Sequence, residues 1–272
     1  MWKRLAVTAL AITTMAAERS SAEVLDTIQQ RGVLIVGVKA DYRPFGFRSS
    51  NGEIIGIEPD LAADLAKRLG LKVELVPVIG ANRIEFLNKG KVDILIATVS
   101  DTPERRKIVQ AIDPPYYSDP ANVLLAKTTQ IKSWEELNGK PLCATSGSWY
   151  NKEISRKYGA DIIAFDGSAK PLLALKQGNC VGYLFDQTFL AGQLLDYEMQ
   201  SEYALPLKGI MDTPWIICIA QGNPKLQEAT EKIEKAWFTE GTIVTLQKKW
   251  AIEPTEASLS MHAKYKDAAT GR

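Results

Sequence analysis

Histidine is almost absent: the 272 residues contain one, His262, close to the C-terminus. Ser-His-Asp and Cys-His catalysis both need a histidine held in a site, so neither is expected. The common His-containing zinc sites are excluded on the same ground, and three scattered cysteines, Cys143, Cys180 and Cys218, do not replace them. A charge surplus is also missing. Lys plus Arg number 33 and Asp plus Glu 32, a formal charge of +1, whereas a nucleic-acid binder normally carries a basic excess. Long apolar runs are lacking after the first 22 residues, so no later segment is expected to span a bilayer. No metal, cofactor or nucleic-acid partner is expected.

The N-terminus is laid out as an address. Lys3 and Arg4 are followed by an uncharged stretch of 13 residues, Leu5–Ala17, and then by the small residues Ser20, Ser21 and Ala22. A positive end, a short apolar core and small residues at a cleavage point describe a secretory signal peptide over residues 1–22. As a helix the apolar stretch would reach roughly 20 Å, short of the ~30 Å hydrocarbon core. Its removal leaves the charge near zero and predicts an exported chain, cleaved near Ala22, in an oxidising compartment such as the periplasm.

The rest alternates strand and helix. Residues 33–38 (VLIVGV), 72–78 (KVELVPV) and 92–97 (VDILIA) read as strands. Between the first two, Pro59 opens a helix whose apolar face is Leu61, Ala62, Leu65, Ala66 and Leu69, stopped by Gly70. A short helix over 82–88 precedes the third strand. A second series follows, with strands at 122–126, 141–145, 161–165, 180–185 and 215–220. Helices are expected at 133–137, 149–158, 168–177, 187–195, 224–238 and 241–250. Strand-helix alternation of this kind predicts an α/β fold with parallel pairing. Two series suggest two lobes: 23–115 in the first, 121–210 in the second, and 215–253 returning to the first. The Pro-containing segments 116–120 and 210–214 are the expected crossings. Ligands in such sheets bind beyond the carboxyl ends of strands, and a cleft between lobes is the favoured place. Residues 254–272 are polar and without evident periodicity, and are expected to form a flexible tail.

Six segments, in order, carry a resemblance. They are RGVLIVGVKADYRPFGF (31–47), GIEPDLAADLAKRLG (56–70), NRIEFLNKGKVDILIATVSDTPERRK (82–107), DPPYYSD (113–119), WEELNGKPLCATSGS (134–148) and GNCVGYLFDQ (178–187). Together they resemble the polar-amino-acid-binding proteins of ABC importers, solute-binding protein family 3. The resemblance implies a two-lobe, type II periplasmic-binding-protein fold with a two-strand hinge and an interlobe ligand cleft. It also implies a monomer that captures a free amino acid and delivers it to a membrane permease.

It further implies roles for particular residues. Arg105, in Asp101-Thr102-Pro103-Glu104-Arg105, matches the arginine that clamps the ligand α-carboxylate, for which a planar guanidinium is suited; on sequence alone a surface pair with Glu104 is the simpler reading. Thr98 and Ser100 share a face at period two and match ligand contacts. Asp186 matches the acid that takes the α-ammonium, and is equally suited to cap the helix that follows. Ser146 and Ser148, in a Ser-Gly-Ser loop, match a second clamp on the carboxylate; alone they read as a turn. Tyr42 matches an aromatic that stacks on the ligand. Ile57 stands where a second aromatic is common, a departure from the pattern. Lys39 and Arg83 match positions that are cationic in relatives taking glutamate or aspartate, so the expected ligand is an acidic amino acid, with another polar amino acid as the alternative. Cys143 and Cys180 match a pair that is bridged in some relatives; three buried free thiols are the other possibility.

Two other classes fit the sequence less well. A few proteins of this fold are dehydratases of prephenate or arogenate, in which a Glu follows the position of Asp186. Here the run is Asp186-Gln187-Thr188-Phe189, without a second acid, so an enzyme is not expected. A sensory module is normally fused to further domains, and only a short tail is expected after Trp250.

Overall fold

The computed structural model describes residues 24–270, so the expected signal peptide lies outside the described residues. One mixed sheet runs through the molecule. Its main strands lie side by side as Asp161–Phe165, Pro141–Thr145, Gly182–Asp186, Tyr117–Ala126, Ile210–Ile219, Ile94–Ser100, Val33–Lys39 and Lys72–Val78. At one end Val33–Lys39 pairs in parallel with both its neighbours. At the other, Pro141–Thr145 does the same. These are the two parallel cores of an α/β fold; their central strands are near-continuous apolar runs buried on both faces, while the edge strands Lys72–Val78 and Asp161–Phe165 are largely exposed.

The cores are joined by two long antiparallel strands, Tyr117–Ala126 and Ile210–Ile219. The sequence places breaks at 116–120 and 210–214, but these segments lie almost wholly inside the long strands: Thr213 pairs with Asp119 and Pro214 with Ser118. Pro120 is accommodated because the ladder shifts register opposite it, between Ile210 and Thr213. The crossing is a paired two-strand hinge.

Helices cover both cores. Ile57–Arg68 starts two residues ahead of Pro59, which the first turn tolerates since its missing N–H would have no intrahelical partner. Its buried stripe is Glu58, Leu61, Ala62 and Leu65, an i, i+3, i+4, i+7 pattern that includes an acid. Pro224–Glu240 and Thr242–Lys249 return to pack on the first core. The segment expected over 133–137 tightens to a 3-10 turn, Glu135–Leu137.

The expected flexible tail is instead a helix, Glu256–Thr270, laid along Pro224–Glu240. Ser258 is buried and Met261, His262 and Tyr265 are half-buried, which is a helical stripe made of residues other than aliphatics. The Tyr265 ring stacks on Phe238 at 5.5 Å, His262 Nδ1 lies 2.6 Å from the Phe238 carbonyl oxygen, and Ser258 donates to Gln247 Oε1 at 2.7 Å. Buried contacts of this kind hold a segment whose sequence looks like a tail.

Cys143 and Cys180 form a disulfide with Cα atoms 5.7 Å apart. Cys180 lies ahead of its strand rather than in it, because pairing begins at Gly182. Cys218 is free and buried in the hinge strand.

Candidate functional site

The carboxyl ends of the strands meet in a cleft between the two cores. Its walls are Lys39, Gly80, Arg83, Thr98 and Ser100 from the first, and Thr145, Gly147, Ser148, Tyr150, Phe185 and Asp186 from the second. Six of the residues expected from the sequence line it: Lys39, Arg83, Thr98, Ser100, Ser148 and Asp186. Arg105 stands at its rim. Tyr42, Ile57 and Ser146 do not form its walls, while Thr145, Gly147, Tyr150 and Phe185 do.

The cores are closed onto one another. Arg105 donates to the Ser100 carbonyl at 2.9 Å on its own side and to the Gly147 carbonyl at 2.8 Å on the other. It makes no pair with Glu104. Asp41 accepts from the Ser168 N–H at 2.8 Å, and the Ser168 hydroxyl donates back to the Asp41 carbonyl. Gly80 and Gly147 meet backbone to backbone: a Cβ on Gly147 would stand 2.3 Å from the Gly80 carbonyl oxygen. Gly147 also has φ +84°, so it needs to be glycine for two reasons.

Asp186 is buried at the start of the helix Gln187–Gln193. It holds the N-cap position, but its side chain makes no capping bond and turns to the cleft instead. One oxygen accepts from Tyr150 at 2.8 Å and the other from Tyr42 at 3.2 Å. Burial raises its pKa, against the pull of the two tyrosines, Arg83 and Lys39. Tyr42 is fully buried among Phe45, Phe185, Phe189 and Trp215, with ring centroids 5.1–6.0 Å away. The expected stacking aromatic therefore sits in an aromatic plug that joins the cores, and its hydroxyl orients Asp186. Ile57 is packed in the core below the cleft. The Ser146 N–H is taken by the Phe165 carbonyl, which withdraws it from any anion.

Two buried cations occupy the first wall. Lys39 pairs with Asp41 at 2.9 Å. Burial lowers the Lys39 pKa, with Asp41 opposing. Burial pushes Asp41 up, but the charge and bond of Lys39 outweigh it and hold that carboxyl below its ordinary value. Arg83 donates through Nη1 to the carbonyls of Ala97 and Thr98 and to Thr98 Oγ1 at 3.1 Å. Its Nε is enclosed without a hydrogen-bond partner among the described residues. Burial lowers the Arg83 pKa, and burial with the nearby Arg83 charge brings Arg105 down to about 9.

Thr98 is where the wall is shaped. Its φ is +49°, a left-handed conformation that costs a β-branched residue strain. Here the ladder with Ile210–Ile219 loses its register: Ile216 pairs with Val99, but Cys218 pairs with Leu95. The resulting bulge turns the Thr98 carbonyl to Arg83 and its N–H to Glu58 Oε1, at 2.6 Å. Glu58 is fully buried and also accepts from the Tyr116 hydroxyl at 2.6 Å. The sequence reading overlooked Glu58, although its place on the apolar stripe of its helix was the available signal.

A closing cleft with opposite charges on its two walls defines a two-lobe binding protein that wraps a small dipolar ligand. Comparison with known proteins gives the family. Residues 34–253 match the bacterial extracellular solute-binding proteins, family 3, and the chain belongs to that family. It is 30% identical over 244 residues to the ABC transporter glutamine-binding protein GlnH of Bacillus subtilis, covering 88% of each chain. It is 26% identical over 230 residues to the L-cystine-binding protein TcyJ of Escherichia coli, covering 84% of this chain and 85% of that one. Among solved structures, the ancestral amino acid-binding protein AncCDT-1, a precursor of cyclohexadienyl dehydratase, superposes with a TM-score of 0.74 at 31% identity, covering 84% of this chain and 99% of that one. This chain is thus an amino-acid-binding protein of the ABC-transporter type, and its curated relatives are transport proteins rather than enzymes. No helix among the described residues is long and apolar enough to cross a membrane.

Proposed function

We propose that the protein captures an acidic amino acid, glutamate or aspartate, outside the cytoplasm, and delivers it as a monomer to the permease of an ABC importer. Residues 23–115 with 215–253 form one lobe and 121–210 the other, and export follows cleavage near Ala22. Arg105 takes the α-carboxylate, at the place where it now holds the Gly147 carbonyl, with Ser148 on the facing wall. Asp186 takes the α-ammonium. Thr98 and Ser100 line the space between them.

The observation that carries the acidic side chain is the surplus cation that the first wall holds when the buried Glu58 is protonated. With Arg105 and Asp186 assigned to the ligand backbone, Lys39 is matched by Asp41, and Arg83 is left with an unpartnered Nε beside the cleft. A buried charge without a counter-charge is costly, and a ligand carboxylate supplies one. A basic side chain would meet like charges there.

A second reading is a neutral amide ligand such as glutamine. The Lys39–Asp41 pair favours it, since it neutralises one of the two cations, and one relative is a glutamine-binding protein.

A thermal-shift screen of unfolded and refolded protein against the twenty amino acids separates the readings. A ligand at 100 times its Kd stabilises by about 2.7 kcal/mol. Shifts confined to glutamate and aspartate support the acidic reading. A shift with glutamine alone replaces it by the second.

A further inference from the structure

Glu58 lies behind the two cations of the first wall, and the binding scheme above gives it no role. It is fully buried. Oε1 accepts from the Thr98 N–H and the Tyr116 hydroxyl, both at 2.6 Å. Oε2 is enclosed and has no hydrogen-bond partner among the described residues. Lys39 on the strand Val33–Lys39 and Arg83 on the helix Arg83–Asn88 act on it electrostatically, Tyr116 donates to it from the start of the hinge, and the Ala97–Thr98 peptide unit joins it to Arg83, the N–H donating to Glu58 and the carbonyl accepting from Arg83.

The charge count in the cleft depends on this carboxyl. Ionised, Glu58 supplies the counter-charge that Arg83 lacks, and the wall has nothing left for a ligand carboxylate. Protonated, it leaves the surplus cation free. An incoming carboxylate also places a second negative charge near the same cations, which favours the neutral acid.

We propose that Glu58 is the charge-compensating residue of the side-chain subsite. It takes a proton from solvent when an acidic amino acid binds and remains ionised when a neutral one does. It acts through Arg83 and Lys39 without touching the ligand. The inference rests on the acidic reading above. Burial pushes the Glu58 carboxyl up to about 7, with the Tyr116 and Thr98 bonds and the two cations opposing. Proton uptake is therefore close to one at pH 8 and close to none at pH 6, and glutamate affinity falls about tenfold between those values.

The test is titration calorimetry of glutamate and glutamine at pH 6, 7 and 8, in buffers of different ionisation enthalpy, with wild type, Glu58→Gln and Tyr116→Phe. The wild type takes up a proton with glutamate and none with glutamine. Glu58→Gln abolishes the uptake and flattens the pH profile. Tyr116→Phe removes a donor to the carboxylate and moves the midpoint to higher pH. The wild-type proton count stands alone if either variant fails to fold. Glutamate binding without uptake overturns the inference while leaving the acidic reading intact, as does uptake that persists in Glu58→Gln, which would assign the proton to Lys39. Binding of glutamine with neither glutamate nor aspartate bound at any pH overturns the acidic reading and this inference with it.

Discussion

The two walls of the cleft are built on opposite plans. The first presents Lys39 and Arg83, with Arg105 at its rim, and holds them by carbonyls, a neighbouring carboxylate and a bulged strand. The second presents a single acid, Asp186, held between two tyrosine hydroxyls. The cores behind them differ as well. The first is wrapped by the chain's own C-terminal helices, whereas the second carries the disulfide Cys143–Cys180. Charge of one sign on each wall gives a dipolar ligand favourable contacts with both only when the cleft is shut, so binding and closure are one equilibrium. The difference in support means that each core can be weakened without touching the other's wall.

Removing the acid of the second wall should have the largest effect. Asp186→Asn keeps the shape but not the charge opposite the ligand ammonium. Loss of one partner of a buried charged pair costs about 2–5 kcal/mol, or roughly 30-fold to several-thousand-fold in Kd. Calorimetry with an unchanged melting temperature would locate that loss in binding; an unchanged Kd would remove Asp186 from the site.

The disulfide comes next. Its cysteines are 37 residues apart, and closing a loop of that length stabilises by about 3–4 kcal/mol. The double variant Cys143→Ser, Cys180→Ser should lower the unfolding free energy by that amount, read from denaturant titration, and leave ligand affinity at low temperature nearly intact, since neither cysteine lines the cleft.

On the other side, Glu234 is fully buried in Pro224–Glu240, with neither oxygen partnered among the described residues. Burial raises its pKa well above the ordinary value, and Asp113 and Glu231 add to the rise. An acid raised in this way binds more protons folded than unfolded, so its penalty is absent below its unfolded pKa and grows as pH climbs toward the folded one. Glu234→Met should therefore stabilise by about 1–3 kcal/mol near neutrality, with the gain vanishing toward pH 4. Denaturation at both pH values tests the sign.

The smallest effect should come from the last helix. Tyr265→Ala removes a stacked, half-buried ring and should cost about 1 kcal/mol. Ligand affinity is expected to stay the same. A loss of binding instead would mean that the C-terminal helix supports the wall as well as the core.

Legibility follows the same division. VLIVGV and PLCAT are apolar runs whose strands lie where the pattern puts them, whereas the strand read from VDILIA starts two residues later and runs on to Ser100. Lys39, Arg83, Thr98, Ser100, Ser148 and Asp186 were expected at the cleft from their match to the family's positions, and all six line it. Tyr42 and Ile57 are packed in the core, and whether an aromatic or aliphatic residue faces ligand or core depends on how two lobes meet, which the sequence pattern does not carry. The tail escaped because its stripe is Ser258, Met261, His262 and Tyr265. Glu58 was visible only as an acid on an apolar face, which periodicity flags and composition does not.

Arg83, whose Nε has no hydrogen-bond partner among the described residues, is the group proposed to select the ligand side chain. The most direct test of that role is equilibrium titration of glutamate and glutamine against wild type and Arg83→Ala at pH 6. The wild type should prefer glutamate, and Arg83→Ala should lose most of that preference, with little change for glutamine. A wild type that binds glutamine more tightly, or a preference for glutamate that survives the loss of Arg83, would contradict that role.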